Sequence, residues 1–292
     1  MKLLITGASS SLARRLVVVL QERRELSIRL LEYRSPVRME SCETVSGNMN
    51  DPESLNRACQ GMDRVLHLAA LTHSCNDAEY FRVNREGTQN LIDACVLAGV
   101  KRFVYISSRT ASLDGGGYAR SKLEAEECVK KAGLSWLILR PSEVYGQGAG
   151  DTLNRLIEWV RRYHFVPVIG TGKARFSPVY IDDVVSAMTR SILDEGLENE
   201  TLLLAGPEEL TFDELVDRIA EYFSVKRSKI HLPADLVKFG AAVLSSLGIK
   251  ILVPDQIPRL LCSKDQDISK TSMLISYAPR KLEEGMAAYW HI

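Results

Sequence analysis

A doubly wound α/β fold, with a parallel sheet covered by helices on both faces and a smaller mixed region toward the carboxyl end, is the class this sequence predicts. Three observations predict it. Short apolar runs alternate with longer helical patterns through the first two thirds of the 292 residues. The runs are apolar enough to be buried on both faces, as parallel strands between helices are. A Gly/Ser turn, Thr6-Gly7-Ala8-Ser9-Ser10-Ser11-Leu12-Ala13, follows the first run and opens the first helical pattern.

Strands are expected at Leu3–Thr6, Ser27–Leu31, Thr44–Ser46, Arg64–Leu68, Arg102–Ile106 and Trp136–Leu139, with helices at Leu12–Glu25, Pro52–Ala58, Ala78–Ala98 and Tyr118–Ala132 between them. Asp51 before Pro52 makes a good N-cap and first helical residue, and Gly99 and Gly133 stand where C-terminal caps belong. After about residue 141 the rhythm changes. Asp151–Arg162 reads as a helix, then come Pro167–Gly170, Ser177–Ile181 and a strand at Thr201–Ala205. Thr211 with Glu214 forms a capping box for a helix to about Phe223, and Ala234–Leu247 reads as a further helix. The division is a core of residues 1–141, to which 175–205 return, and a smaller region, 142–292, interleaved with it.

Lys plus Arg and Asp plus Glu both number 37, so the formal net charge is zero. That balance carries no electrostatic footprint for nucleic acid or anionic lipid. Cys42, Cys59, Cys75, Cys95, Cys128 and Cys262 include no Cys-x-x-Cys pair and no clustered His, so neither a metal site nor a disulfide framework is expected. No apolar run approaches membrane-spanning length, and a cytoplasmic protein fits best.

The turn at Thr6–Ala13 lies where a Rossmann-type sheet places its pyrophosphate loop. Of the three glycines usual there only Gly7 is present, with Ser10 and Ala13 at the other two positions. Both are small enough to keep much of that geometry, so Gly7, Ser10, Ser11 and Leu12 are the candidate diphosphate residues. Glu32 ends the second strand 25 residues after Gly7, where an acidic group bonds ribose hydroxyls and selects NAD. Arg34 leaves NADP open, because an arginine there could pair with a 2′-phosphate.

Tyr118-Ala119-Arg120-Ser121-Lys122 places a phenol and an amine at i and i+4, on one face of a helix start. A phenol that exchanges a proton near neutral pH must leave its free pKa of about 10, and three units correspond to roughly 4 kcal/mol. An ammonium about 5 Å away at an effective dielectric near 20 supplies roughly 3 kcal/mol of that. Ser107 and Ser108 close the strand Arg102–Ile106 at the carboxyl edge, where open α/β sheets bind ligands.

At this point the sequence resembles the extended short-chain dehydrogenase/reductases, in particular the NAD-dependent epimerase/dehydratase family. The matching pieces run in family order: Thr6-Gly7, His67-Leu68-Ala69-Ala70, Asn84 with Glu86–Leu91, Arg102–Ser108, Tyr118-x-x-Ser121-Lys122, Arg140–Gly146 and Val179–Val184, with a looser tail through Asp267–Lys270 and Leu282–Gly285. The resemblance implies that Tyr118 is the general acid/base, that Lys122 holds the nicotinamide ribose and lowers the tyrosine pKa, and that Ser108 polarises the substrate oxygen. It also implies that Leu68, Ala69, Ala70 and Ser107 pass the cofactor, that Asn48 and Met49 flank adenine, that Pro141 and Ser142 back the nicotinamide, and that Asn84 supports the site from behind. A homodimer built through a helix bundle is implied as well.

Three departures stand out: the degenerate glycine loop, Asn48 where the family usually has Asp, and only nine residues between Ser108 and Tyr118. Three of those nine are Gly115-Gly116-Gly117, which read as a short flexible loop like that of divergent members related to complex I accessory subunits and small redox regulators. Arg175 is the candidate for binding a substrate diphosphate. His67 reads as structural. The leading expectation is an NAD(P)-dependent epimerase/dehydratase-type enzyme acting on a nucleotide sugar. The alternatives are a reductase of a non-sugar carbonyl or alcohol, and a cofactor-binding regulatory or assembly protein with little turnover.

Overall fold

In Lys2–Thr6 (β1) Leu3 and Ile5 enter one core and Leu4 the other, and all three are fully buried. Side chains alternate along a strand, so a strand with no solvated face must lie inside a sheet covered on both sides. The computed structural model describes residues 1–23, 25–148, 151–237 and 256–290. Its further strands are Ser27–Glu32 (β2), Cys42–Ser46 (β3), Arg64–His67 (β4), Arg102–Ile106 (β5), Ser135–Pro141 (β6), Val144–Tyr145 (β7), Phe165–Ile169 (β8), Arg175–Phe176 (β9), Val179–Tyr180 (β10), Glu200–Leu204 (β11), Leu210–Thr211 (β12) and Ser228–Leu232 (β13).

Seven of them form one sheet in the order β11-β6-β5-β4-β1-β2-β3, every neighbouring pair parallel. The chain winds outward from β1 through β2 to β3, then returns to the other side of β1 with β4. This reversal opens a crevice beyond the carboxyl ends of β1 and β4, the place where such sheets bind ligands.

The helices are Ser11–Gln21 (α1), Pro52–Cys59 (α2), Asp77–Tyr80 (α3), Gly87–Ala98 (α4), Gly116–Lys130 (α5), Asp151–Arg162 (α6), Ile181–Leu193 (α7) and Phe212–Tyr222 (α8), followed by short ones at Gln256–Leu261, Ser269–Ile275 and Leu282–Ala287. Asp51 caps α2 by accepting from the Ser54 amide, and the capping box of Thr211 and Glu214 opens α8. Gly99 ends α4 in the left-handed conformation, φ 69°. Gly133 is left-handed too, but α5 stops at Lys130 and Gly133 turns the chain just beyond it.

The single helix expected over 78–98 is two helices joined by wider π-type turns at Phe81–Glu86. Such widened turns often mark functional places, and this one carries the buried Asn84. Strand β13 had no sequence signal because SKIHL lacks an apolar run; it pairs with β8 in a separate two-stranded sheet. Of the helix expected at Ala234–Leu247, residues 234–237 are helical and 238–247 lie outside the described residues. The carboxyl-terminal segment is fastened to the body where the Tyr145 hydroxyl donates to the Leu282 carbonyl, 3.0 Å away.

Candidate active site

Gly7 turns the chain out of β1 at φ 68°, and a Cβ there would lie 2.5 Å from the Ala69 amide nitrogen. Both the left-handed backbone and the close approach of the loop after β4 therefore require glycine. Ser10 is the N-cap of α1, its hydroxyl accepting from the Ala13 amide at 3.2 Å. The serine at the second glycine position thus keeps the helix start in order, with Ser9 and Ser10 exposed beside the first-turn residues Ser11 and Leu12. Unpaired first-turn amides and a favourable dipole make such a helix start a fit for a diphosphate.

Behind this turn runs a chain of neutral hydrogen bonds. Thr6 Oγ1 lies 2.6 Å from His67 Nδ1, and His67 Nε2 lies 3.0 Å from Thr88 Oγ1. Thr88 Oγ1 donates to the Asn84 carbonyl, and the Asn84 side chain accepts from the Leu71 amide at 2.7 Å and donates to Ser121 Oγ at 3.0 Å. Burial, with the Lys122 charge adding to it, holds the His67 pKa down to about 3, so the ring is neutral and structural.

At the end of β2 the Glu32 carboxylate accepts from the Val37 amide at 3.1 Å and from Ser46 Oγ at 3.3 Å. The exposed Arg34 guanidinium stacks 5.1 Å over the Tyr33 ring. Asn48 Oδ1 is spent on the Asn50 amide, 3.0 Å, within its own turn, and Met49 is buried with its carbonyl bound by Asn90. Leu68, Ala69 and Ala70 are half-buried where the chain leaves β4.

Tyr118 and Lys122 stand one turn apart near the start of α5. Lys122 is 1% exposed; Nζ donates to the Ile106 carbonyl at 2.7 Å and sits 4.1 Å from the centre of the Tyr105 ring. Desolvation pulls its pKa down to about 7, against the opposing pull of the Glu126 carboxylate. The Tyr118 ring is flanked by Tyr80, edge-on at 5.9 Å, and by the Arg259 guanidinium 3.9 Å over its face. Adjacent serines at the end of β5 diverge. Ser107 turns inward to donate to Glu126 at 2.5 Å, whereas Ser108 Oγ lies 2.9 Å from Thr110 Oγ1 and accepts from the Thr110 amide. Pro141 and Ser142 sit at the end of β6, with the Ser142 hydroxyl donating to the Ser177 carbonyl. Arg175 is 55% exposed on its side chain and 3.8 Å from Glu209, away from Tyr118 in sequence and held in the β9–β12 pair.

The glycine run is not a flexible loop. Gly116 and Gly117 are the first residues of α5, Gly115 and Gly117 are buried, and a Cβ on Gly117 would lie 2.5 Å from Asp77 Oδ1. Close packing of α3 against the start of α5 explains Gly117, crowding by Ala119 and the preceding turn explains Gly115, and a left-handed backbone, φ 86°, explains Gly116. Sequence reasoning also missed the charges behind the serines. Glu126 pairs with Arg140, and Arg109, 1% exposed on its side chain, bridges Glu143 at 3.2 Å and Glu209 at 3.3 Å. Lys264 joins Glu143 at 3.6 Å. Among the described residues no group of His, Cys, Asp or Glu is placed to hold a metal ion, and no helix is long and apolar enough to cross a membrane.

Residues 3–205 match the NAD dependent epimerase/dehydratase family, and the chain belongs to it. NAD is the cofactor of that family, and the glycine turn, helix start and fixed Glu32 fit it. The chain is 28% identical over 283 residues to 3β-hydroxysteroid-dehydrogenase/decarboxylase isoform 2 of Arabidopsis thaliana, covering 83% of this chain and 50% of that protein. It is 30% identical over 234 residues to a ceramide reductase of Caulobacter vibrioides, covering 78% and 73%. The chain thus spans half to two thirds of the length of the plant isoforms it matches. Among solved structures it is similar in fold to MoeE5 in complex with UDP-glucuronic acid and NAD, with a TM-score of 0.79, 24% identity, and coverage of 99% of this chain and 97% of the other.

Proposed function

We propose that this chain is an NAD-dependent oxidoreductase that interconverts an alcohol and its carbonyl, with Tyr118 as the general acid/base. The observation that carries the reading is the seating of Tyr118 and the buried Lys122 one turn apart on α5, with Lys122 bonded to the Ile106 carbonyl at the end of β5, two residues before Ser108. When bound, NAD supplies the hydride acceptor or donor. Tyr118 takes the proton from the substrate hydroxyl in oxidation and returns it in reduction. The Lys122 charge, shielded from water, favours the phenolate, and its amine also serves the cofactor ribose. Ser108, oriented by Thr110, donates to the substrate oxygen. Gly7, Ser10, Ser11 and Leu12 take the diphosphate, Glu32 the adenosine ribose, Asn48 and Met49 the adenine, and Pro141 and Ser142 back the nicotinamide.

For the substrate we infer a hydrophobic hydroxy or keto compound of the sterol or sphingoid kind. The relatives named for such compounds are 27–30% identical over about four fifths of the chain, whereas the nucleotide-sugar proteins share the fold at 24% identity or less. Arg175, the residue nominated for a sugar-nucleotide diphosphate, already faces Glu209. A nucleotide sugar is the second reading, and the fold relatives support it.

Assay of the purified protein with NAD and a 3β-hydroxysteroid, and in parallel with UDP-glucose and UDP-glucuronic acid, decides between them by NADH formation and product mass. Turnover confined to the nucleotide sugars would overturn the lipid reading. Tyr118→Phe should lower turnover about 10² to 10⁴-fold, the contribution of a positioned acid/base, with NAD affinity by calorimetry nearly unchanged. Parental turnover in Tyr118→Phe would end its assignment as the acid/base.

A further inference from the structure

Glu126 lies four residues after Lys122, on the same face of α5, and is 0% exposed. A buried carboxylate is tolerated only when paired and hydrogen-bonded. Its partners come from two strands. Arg140 of β6 grips it bidentately, Nε at 2.8 Å and Nη2 at 2.5 Å, and Ser107 at the end of β5 donates to it at 2.5 Å. Ser107 in turn donates from its amide to the Leu139 carbonyl at 2.7 Å. The residue after Ser107 is Ser108, and the residues after Arg140 are Pro141 and Ser142. One carboxylate therefore fastens together the strand ends and the helix that carry the proposed catalytic group.

The groups facing Lys122 set what that carboxylate does for it. The neutral His67 comes from β4, the Tyr105 ring from β5, and Tyr118, with Arg259 over its ring, from its own helix; Arg140 of β6 lies beyond Glu126. Among these groups Glu126 alone is an anion. We propose that Glu126 is a positioning residue for Ser108, Tyr118 and Lys122: its carboxylate locks the ends of β5 and β6 onto α5 and is the counter-charge that favours the ammonium form of the buried Lys122 amine. The inference rests on the acid/base reading of Tyr118 and adds to it the group that favours the cation beside the phenol.

The test follows Lys122 itself. In protein labelled with ¹³C at lysine Cε, with the resonance assigned by its loss in Lys122→Met, the titration midpoint should fall by about one pH unit or more in Glu126→Gln. Glu126→Asp, which keeps the charge, should hold the midpoint near that of the parent. Should Glu126→Gln fail to fold, the double variant Glu126→Gln with Arg140→Gln leaves no charge unpaired and should move the midpoint in the same direction. A midpoint unmoved in the folded single or double variant overturns the proposal, since a merely structural residue would lower thermal stability without touching the titration. The Tyr118→Phe assay separates this failure from the other. A full loss of turnover there with an unmoved Lys122 midpoint removes Glu126 alone, and parental turnover there removes the acid/base reading on which the inference rests.

Discussion

The two flanks of α5 are wired by different chemistry. Toward β1 and β4 the buried connections are neutral, running from Thr6 through His67 and Thr88 to Asn84 and Ser121, with one half-exposed ion pair, Arg85 with Glu124, outside them. Toward β6 and the carboxyl-terminal segments they are ion pairs, Glu126 with Arg140 and Arg109 with Glu143 and Glu209. A neutral chain is little affected by salt and loses one hydrogen bond at a time, and its pH dependence is confined to the acid side, where the buried neutral His67 costs stability as pH falls from about 6.5 toward 3. A buried ion pair holds firmly when complete and leaves an uncompensated charge when one partner is removed. The neutral flank is thus built to keep a fixed shape, and the other flank to hold charge beside Lys122. Lys122 lies on the seam.

That seam gives the largest expected effect. The Lys122 pKa is about 7 in the folded protein against an ordinary value of 10.5, so between those values the unfolded chain binds the proton and the folded one does not. Stability attributable to this group therefore rises as pH increases from about 7 to about 10, and its unfavourable contribution is full and constant below 7. Lys122→Met, which removes the buried amine, should be more stable than the parent by several kcal/mol at about pH 6, with the difference shrinking steadily toward pH 10. Urea unfolding at a series of pH values measures it. A difference that stays flat across the series would show that the amine does not change its protonation on folding.

Next in size is the contrast between the flanks. Arg109→Met should cost about 3 kcal/mol, because Glu143 and Glu209 lose the guanidinium that lies between them and the Asp265 carbonyl loses its donor. Thr88→Val, on the neutral flank, should cost about 1 kcal/mol through the lost bonds to His67 and the Asn84 carbonyl. Thermal unfolding of both at low and high salt checks the ranking. Equal losses would mean that the ion pairs are no more critical than the neutral chain.

The same division explains what the sequence made legible. The inner strands of the main sheet announce themselves as apolar runs because they are buried on both faces, unlike the edge strand β3, and Gly7, Ser10, Glu32, Tyr118 and Lys122 stand at fixed distances from them. The charged flank left no such mark. Glu126 sits among Glu124, Glu127 and Lys130 and looks like a solvated helix face, yet its partner is a strand residue. Arg109 meets Glu143, Glu209 and Asp265 across 34, 100 and 156 residues of chain, pairings that no local spacing encodes. Glycines 115–117 were misread for a related reason. Glycine at a tight contact and glycine in a flexible loop look alike until the packing partner is known, here Asp77 for Gly117 and Ala119 for Gly115.

The smallest effect tests the end of β2, where the proposed site would take the adenosine end of the cofactor. Glu32 is held at the end of β2 by the Val37 amide and the Ser46 hydroxyl, whereas Arg34 is exposed and rests on Tyr33. The fixed group is the acid, so in the proposed site ribose hydroxyls would find an acceptor there and a 2′-phosphate would meet a like charge. NAD should therefore bind more tightly than NADP. Glu32→Gln keeps an oxygen to accept from the Val37 amide but removes the charge, and should narrow the gap between the two cofactors by roughly 1 to 2 kcal/mol, the size of one charge-assisted hydrogen bond. Arg34→Ala should leave NAD binding unchanged. Calorimetry of both variants with both cofactors reads the outcome: tighter NADP binding in the parent, lost in Arg34→Ala, would mean that the exposed cation rather than the fixed acid selects the cofactor.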